Sequence, residues 1–324
     1  MDILVIGAGV VGAGVVKRLA GSPSLPVGRV AIVDRNPDRA WHLSEKHGSP
    51  VTVGRLEDSA DVVVLATASG SQAQLIRRFL GDGRIVLTTS DSVSDVRKLL
   101  GMNGAIRQQN SLVVVGAGMA PGLSDVLAVR AAAEFDRVTE VHVAKFGTGG
   151  PACARQHHKA LSSLAWEWRG GWKQRPGGSG RELCWFPSPV DAADCYRAAL
   201  PDPILLVRKF STADRITARM AATRRDRFSS WLPMLRPPHP EGKLGAVRVE
   251  VRGQKGSAWS GRILGASAAP GFAAAAVVVS TLELIGAGKV DRKGVAGLSE
   301  VVDAGEFLDV LEGQGLVCEE FAGA

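Results

Sequence analysis

The chain is short of the residues that mark several large functional classes. Its 324 residues include four cysteines, one tyrosine and only 5% aromatics. Cys153, Cys184, Cys195 and Cys318 form no Cys-x-x-Cys pair, and a chain this long builds a core without disulfide staples. That pattern fits a reduced, cytoplasmic protein. Few aromatics and no basic tail argue against nucleic acid, whose surfaces need stacking platforms set among cations. No apolar run reaches spanning length either. "FAAAAVVVSTLELI", Phe272 to Ile285, is too short and contains Glu283, so it reads as a buried helix and no membrane partner is expected. The apolar opening lacks the positive flank of a signal peptide. No Gly-x-x-x-x-Gly-Lys-Ser/Thr loop occurs, which excludes P-loop chemistry. A Tyr-x-x-x-Lys pair is also impossible, because Leu200 stands four residues after the single Tyr196.

What is present is a globular composition, 45% hydrophobic and 22% charged, long enough for one large or two medium domains. The net charge of +7 makes phosphates and carboxylates more natural ligands than cations. The opening "DILVIGAGVVGAGVVKRLA" is a β-rich run, then Gly7-Ala8-Gly9-Val10-Val11-Gly12, then a helical pattern with Val15, Val16 and Leu19 inward. In that setting Gly7 makes the tight turn and Gly9 lets a pyrophosphate approach the backbone. Gly12 lets helix and strand pack closely, with the helix N-terminus facing the anion. The next strand, "VAIVDRN", ends at Asp34, where an acid holds the ribose hydroxyls of a dinucleotide. Asp34 favours NAD, whereas Arg35 after it suits either a 2′-phosphate or open solvent, so NAD and NADP both stand. Further strand–helix units follow at "DVVVLATASG", which sets Ala66, Thr67 and Ala68 at a strand end, and at "RIVLTTSDS". Strands alternating with helices imply an α/β, doubly wound parallel sheet of the Rossmann type.

"LVVVGAGMAPGLSDVLA", Leu112 to Ala128, reads like a second copy of the fingerprint. The strand after it, "VTEVHVAKFG", ends near Ala144 and Lys145 with no acid for a second ribose. Val113 to Val115 is therefore read as the last strand of the nucleotide domain, and Pro121 as a helix start. The turn leads into a second domain and places Met119 and Pro121 beside the nicotinamide half, with Ser124 and Asp125 behind. Later segments "ILLVRKF", "AVRVEVRGQ" and "SAWSGRILGA" read as antiparallel strands, Val247, Val249 and Val251 alternating with charged residues. The second domain is thus α+β on a mixed, largely antiparallel sheet. The expected division is 1–118 plus about 269–324 for the nucleotide domain and 119–268 for a substrate and dimer domain.

The stretches "VIGAGVVGAGVVKRLA", "LTTSD", "GAGMAPGLSDVLA" and "FGTGGP" resemble the saccharopine dehydrogenase (saccharopine reductase) superfamily, which includes carboxynorspermidine dehydrogenases. The resemblance implies a Rossmann domain, a second domain on a mixed sheet, C-terminal helices returning to the first, and NAD(P)-dependent reduction of an imine. Two positions depart from the family pattern. Ser124 stands where those enzymes carry Asp, with Asp125 next to it, and Thr148 precedes Gly149-Gly150 where they carry Cys. Substrate identity is therefore not carried over.

Groups suited to chemistry crowd into Val143 to Trp172. Cys153, His157 and Leu161 share one helix face, with His158 about 100° round. His157, His158 and Lys145 are the candidates to handle a proton, the alternative being structural or solvated side chains. Ser124, Asp125, Thr148, Gly149, Arg155, Trp172 and Arg181 are candidates to hold a small, amino-acid-like substrate, the arginines by forking onto its carboxylate. No zinc spacing links Cys153, His157, His158 and Cys184, so no metal is assigned. "RPGGSGRE", Arg175 to Glu182, reads as a flexible loop able to act as a lid, and Arg215 to Arg227 as a basic helix. The expectation is a homodimeric oxidoreductase; a dinucleotide-binding sensor without turnover, or a reductase of another C=O or C=C substrate, are the alternatives.

Overall fold

The opening run of β-branched residues forms the first strand of a sheet buried on both faces. The structure is a computed structural model and describes residues 1–21, 25–81, 83–234, 237–240 and 242–321. Strands β1 (Asp2–Ile6), β2 (Arg29–Val33), β3 (Val51–Val53), β4 (Val62–Leu65), β5 (Ile85–Thr88) and β6 (Leu112–Val115) are joined by β15 (Gly294–Gly297). All pair in parallel, in the order β15-β6-β5-β4-β1-β2-β3. Continuous apolar runs explain this, because strands covered on both sides need no wet face: Leu4, Val64, Leu65 and Leu87 are fully buried. The order reverses direction between β1 and β4, the switch point at which doubly wound sheets bind ligands. Leu112 to Val115 is not the last strand, since β15 pairs outside it. The helix Pro270–Gly286 carries the apolar stretch read from the sequence, with Ala273, Val277, Val278 and Leu282 fully buried. Among the described residues, no helix is long and apolar enough to cross a membrane.

A second compact unit holds Met119–Pro270 together with Asp91–Val93 and the segment from Leu316, whereas the first holds Met1–Ser90, Ser94–Gly118 and Gly271–Gly315. The assignment of everything past residue 269 to the nucleotide domain is corrected at the end of the chain. There β16 (Glu319–Glu320) pairs with β14 (Ala258–Ala268) of the second unit. The sheet of this unit runs β10 (Glu182–Trp185), β11 (Ala192–Arg197), β12 (Arg215–Ala221), β7 (Arg137–Phe146), β13 (Gly245–Lys255), β14, β16. A short hairpin of β8 (Ala165–Trp168) and β9 (Trp172–Arg175) attaches to β12. Only β7 and β12 pair in parallel, so the sheet is mixed and largely antiparallel. Helices Leu123–Ala132 and Asp202–Lys209 cover one face. On the other, Phe186, Cys184, Cys195, Ala144 and Ala246 form a separate apolar cluster.

Four local expectations are corrected. "ILLVRKF" is helical, because Pro201, Asp202 and Pro203 open a first turn whose missing N–H groups cost nothing. Arg215 to Arg227 is not one helix. Ile216, Ala218 and Met220 alternate inward as strand β12, and a separate short helix, Arg224–Ser229, starts at a Thr223–Asp226 capping box. Pro121 does not start its helix; Gly122 intervenes at φ +125°, outside helical space, and the helix begins at Leu123. The Arg175–Glu182 loop is pinned rather than free, with Gly178 N–H donating to Arg197 O at 2.8 Å and Arg197 N–H to Ser179 O at 3.0 Å.

Candidate functional site

In the first unit the glycine loop follows β1 directly. Gly7 has φ +107°, and a Cβ there would lie 2.6 Å from the Ala66 carbonyl oxygen, so no side chain fits. A Cβ on Gly12 would fall 1.7 Å from the Gly7 oxygen, which locks helix Val10–Ala20 against the turn. Gly9 differs. A Cβ on it would meet no atom within 4 Å, and its backbone is extended (φ −79°, ψ −166°) at the helix N-cap. The fold needs glycine at 7 and 12, whereas at Gly9 the packing would accept a side chain. Val10 and Val11 form the first turn of that helix.

Asp34 caps the same loop, its Oδ2 accepting from Ala8 N–H at 2.7 Å and its Oδ1 from Asn36 N–H at 2.8 Å. Arg35 is exposed beside it. Ala66, Thr67 and Ala68 follow β4, and Thr67 Oγ1 is a buried hydroxyl with no partner among the described residues. Sequence reasoning missed Asp95, which is fully buried and accepts from Gly70 N–H at 2.6 Å and Ser90 Oγ–H at 2.7 Å. It ties together the loops that leave β4 and β5.

The second unit gathers a compact polar cluster. Lys145 follows Val141 and Val143 on the helix-covered face of β7 and is 5% exposed. Its Nζ donates to Ala120 O at 3.2 Å and lies 3.7 Å from Asp91 Oδ2. His157 Nε2 is 3.0 Å from the same Oδ2, and Cys153 Sγ is 3.4 Å from His157 Nε2 and 3.7 Å from Oδ2. Cys153 and His157 sit one turn apart on helix Pro151–Ser162, which Pro151 opens after the glycine loop. Burial disfavours charge on the His157 imidazole and Lys145 opposes it too, yet Cys153 and Asp91 outweigh both and hold its pKa above the ordinary value. Asp91, the last residue of "LTTSD", was missed as a site residue. Also missed was Asp202, which is fully buried at the start of its helix, accepts from Ser124 Oγ–H at 2.7 Å and has its pKa raised by burial.

The remaining expected residues are scattered. His158 faces away, with Nε2 2.7 Å from Leu232 O, and with Arg155 lines a groove of about 760 Å³ beside Trp231 and Pro233. Arg181 is exposed and pairs with Asp194 at 2.9 Å. Trp172 is 40% exposed on the β8–β9 hairpin, packed edge-on against Trp166 and Trp168. Thr148 and Gly149 are half-buried in the loop before the helix, and Asp125 is buried in helix Leu123–Ala132. Met119 and Pro121 are buried in the second unit. Cys184 is buried in the apolar cluster with Cys195, and among the described residues the donors near Cys153 and His157 include neither Cys184 nor His158, so the four-residue ligand set considered from sequence does not assemble.

A family model described as shikimate/quinate 5-dehydrogenase matches residues 1–78, within the first unit. No curated protein is similar to the chain at the sequence level. Among solved structures, the chain is similar to the apo saccharopine dehydrogenase (L-Glu forming) of Saccharomyces cerevisiae. The identity is 13%, the match covers 99% of this chain and 100% of that one, and the TM-score is 0.69. It is also similar to the DAP dehydrogenase of C. glutamicum in complex with DAP, at 14% identity, 96% and 95% coverage and a TM-score of 0.50. A probable dehydrogenase from Thermotoga maritima matches at 11% identity, 98% of both chains and a TM-score of 0.50. At these identities the likeness is one of fold: over nearly its whole length the chain has the fold of a saccharopine dehydrogenase, as its sequence motifs led one to expect.

Proposed function

We propose that the chain is an NAD(P)-dependent oxidoreductase that reduces an imine, or oxidises the matching secondary amine, on a small carboxylate-bearing, amino-acid-like substrate. The residues fit a dinucleotide. Gly9 leaves open space at a helix N-terminus, Asp34 directly follows β2, and Thr67 Oγ1 is buried beside the loop with no partner among the described residues. On this reading Gly7, Gly9 and Gly12 hold the pyrophosphate, Asp34 the adenosine ribose, and Ala66 to Ala68 the adjoining backbone. When bound, the nicotinamide supplies or takes a hydride.

Reduction of an imine also requires one proton on nitrogen. Lys145 Nζ holds that proton, oriented by its hydrogen bond to Ala120 O and kept in place by Asp91. In the oxidative direction the same amine takes the proton back. His157 anchors Asp91 and so acts as a positioning residue. Ser124 and Asp202 brace the helix starts on the same covered face.

The observation that carries the reading is the Lys145–Asp91–His157–Cys153 cluster. Lys145 and His157 are buried and Asp91 and Cys153 half-buried, so an ammonium, a carboxylate, an imidazole and a thiol stand together in an arrangement suited to moving a proton at a substrate. The test has two arms: fluorescence titration with NADH and NADPH, then a screen of amine and oxo-acid pairs for consumption of the reduced cofactor. Binding together with consumption that depends on both partners is expected. Binding without turnover on any pair would favour a sensor, and failure of both cofactors to bind would end the reading.

A further inference from the structure

Three chemically different donors in the second unit converge on one point. Asp91 Oδ2, Cys153 Sγ and His157 Nε2 are separated by 3.0, 3.4 and 3.7 Å, and all lie within 4.8 Å of one another. A tetrahedral zinc-type ion at about 2.0–2.3 Å from each ligand sets such atoms about 3.3–3.6 Å apart. The observed triangle matches that to within about 0.3 Å. Without an ion the same triangle is held by Nε2–H and Sγ–H, each donating to Asp91 Oδ2. The spacing on the helix is also a ligand spacing: Cys153 and His157, at i and i+4, stand on one face one turn apart. Lys145 Nζ lies 3.7 Å from the same Asp91 Oδ2, as an outer partner that orients the carboxylate.

We propose that Asp91, Cys153 and His157 form a three-ligand site for a divalent transition ion of the zinc class, with a fourth position open to water or to a substrate oxygen or nitrogen. Thiolate, imidazole and carboxylate together select zinc or cobalt over magnesium or calcium, which take oxygen donors. Three protein ligands with one open position is the pattern of catalytic rather than structural zinc. The inference rests on the second unit alone and stands whether or not the chain turns over a nicotinamide.

The test uses the full chain, stripped with a chelator and titrated with Co²⁺ in the absence of cofactor. The expected result is one equivalent bound, with a near-ultraviolet thiolate-to-cobalt charge-transfer band and visible ligand-field bands of tetrahedral intensity. Cys153→Ala should abolish the charge-transfer band. Asp91→Asn should raise the Co²⁺ dissociation constant at least ~100-fold, beyond the ~10- to 100-fold that loss of a merely supporting contact costs. His158→Ala, one position along the helix, should bind like the parent, and circular dichroism of each variant checks that it folds. No charge-transfer band in the parent, or a band that persists in Cys153→Ala and so belongs to another of the four cysteines, would overturn the proposal. Because nicotinamide binding is measured separately, failure here leaves the oxidoreductase reading untouched.

Discussion

Gly9→Ala separates what the fold needs from what a ligand needs. In the folded chain the added methyl meets no atom within 4 Å, and an extended backbone at φ −79° accepts alanine. The cost to stability is that of alanine in place of glycine at a helix N-cap, about 1 kcal/mol at most. For a chain of 324 residues that lowers the thermal midpoint by about 1–2 °C. The same methyl occupies the space through which a pyrophosphate reaches the backbone. Losing about one charge-assisted hydrogen bond, worth roughly 1.5–3 kcal/mol, raises the dissociation constant for NADH ~10- to 150-fold. Gly12→Ala is the contrast, since its methyl would sit 1.7 Å from the Gly7 oxygen and should disrupt the first unit outright. Thermal melts and fluorescence titration of reduced cofactor on both variants provide the assay. A Gly9→Ala protein that melts normally and binds cofactor as tightly as the parent would refute the assignment of this loop to a dinucleotide.

Three further outcomes follow from the same geometry. Asp34→Ser removes the carboxylate that repels a 2′-phosphate, so the affinity for NADPH relative to NADH should rise at least ~10-fold, about 1.4 kcal/mol, in paired titrations. Lys145→Met should lower kcat ~10²- to 10⁴-fold while cofactor affinity stays within twofold, whereas His158→Ala, whose ring faces Leu232, should leave kcat unchanged. Glu167, 1% exposed on β8, accepts from Arg197 Nε at 2.6 Å and Arg169 Nε at 3.2 Å. Burial alone would raise its pKa, but the two guanidiniums outweigh burial and hold it below the ordinary range. Its contribution is therefore fully present above about pH 4.3, the unfolded value, and is lost as pH falls through the lower folded value. Glu167→Gln should cost about 2–3 kcal/mol at pH 7, below the ~3–5 kcal/mol for breaking a fully buried pair because Arg197 keeps 18% exposure. The gap to the parent should close in acid, and equal melting points at pH 7 would contradict it.

The first unit was legible because its signals are local. Continuous apolar strands, glycines at the strand–helix turn and an acid at the end of β2 lie within a few dozen residues, and each has one physical use. Where local patterns conflicted, reading failed. "ILLVRKF" looks like a strand to anyone counting β-branched and leucine residues, but two prolines and Asp202 just before it favour a helical first turn. In "RITARMAATRRDR" the basic residues hid the two-residue alternation of β12. The helical placement of Cys153 and His157 on one face, with His158 turned away, was read correctly because it depends only on the 3.6-residue period. Their partner was not readable. Asp91 lies 62 and 66 residues away in sequence, and Asp202 lies 78 from Ser124, so only the folded chain joins them. Asp91 did carry one available signal, an acid just beyond the end of a parallel strand in a motif already singled out.

The most direct test of the central claim is transfer of the hydride itself. The full chain is incubated with reduced cofactor deuterated at the transferable position of the nicotinamide, together with an amine and an oxo acid, and the products are analysed by mass spectrometry. The account expects one deuterium on the former carbonyl carbon of a secondary amine, with the parent chain but not with Lys145→Met at equal time. Deuterium in an alcohol, or at a saturated C–C bond, would contradict imine reduction, and bound cofactor with no deuterium transferred to any pair would contradict the enzyme.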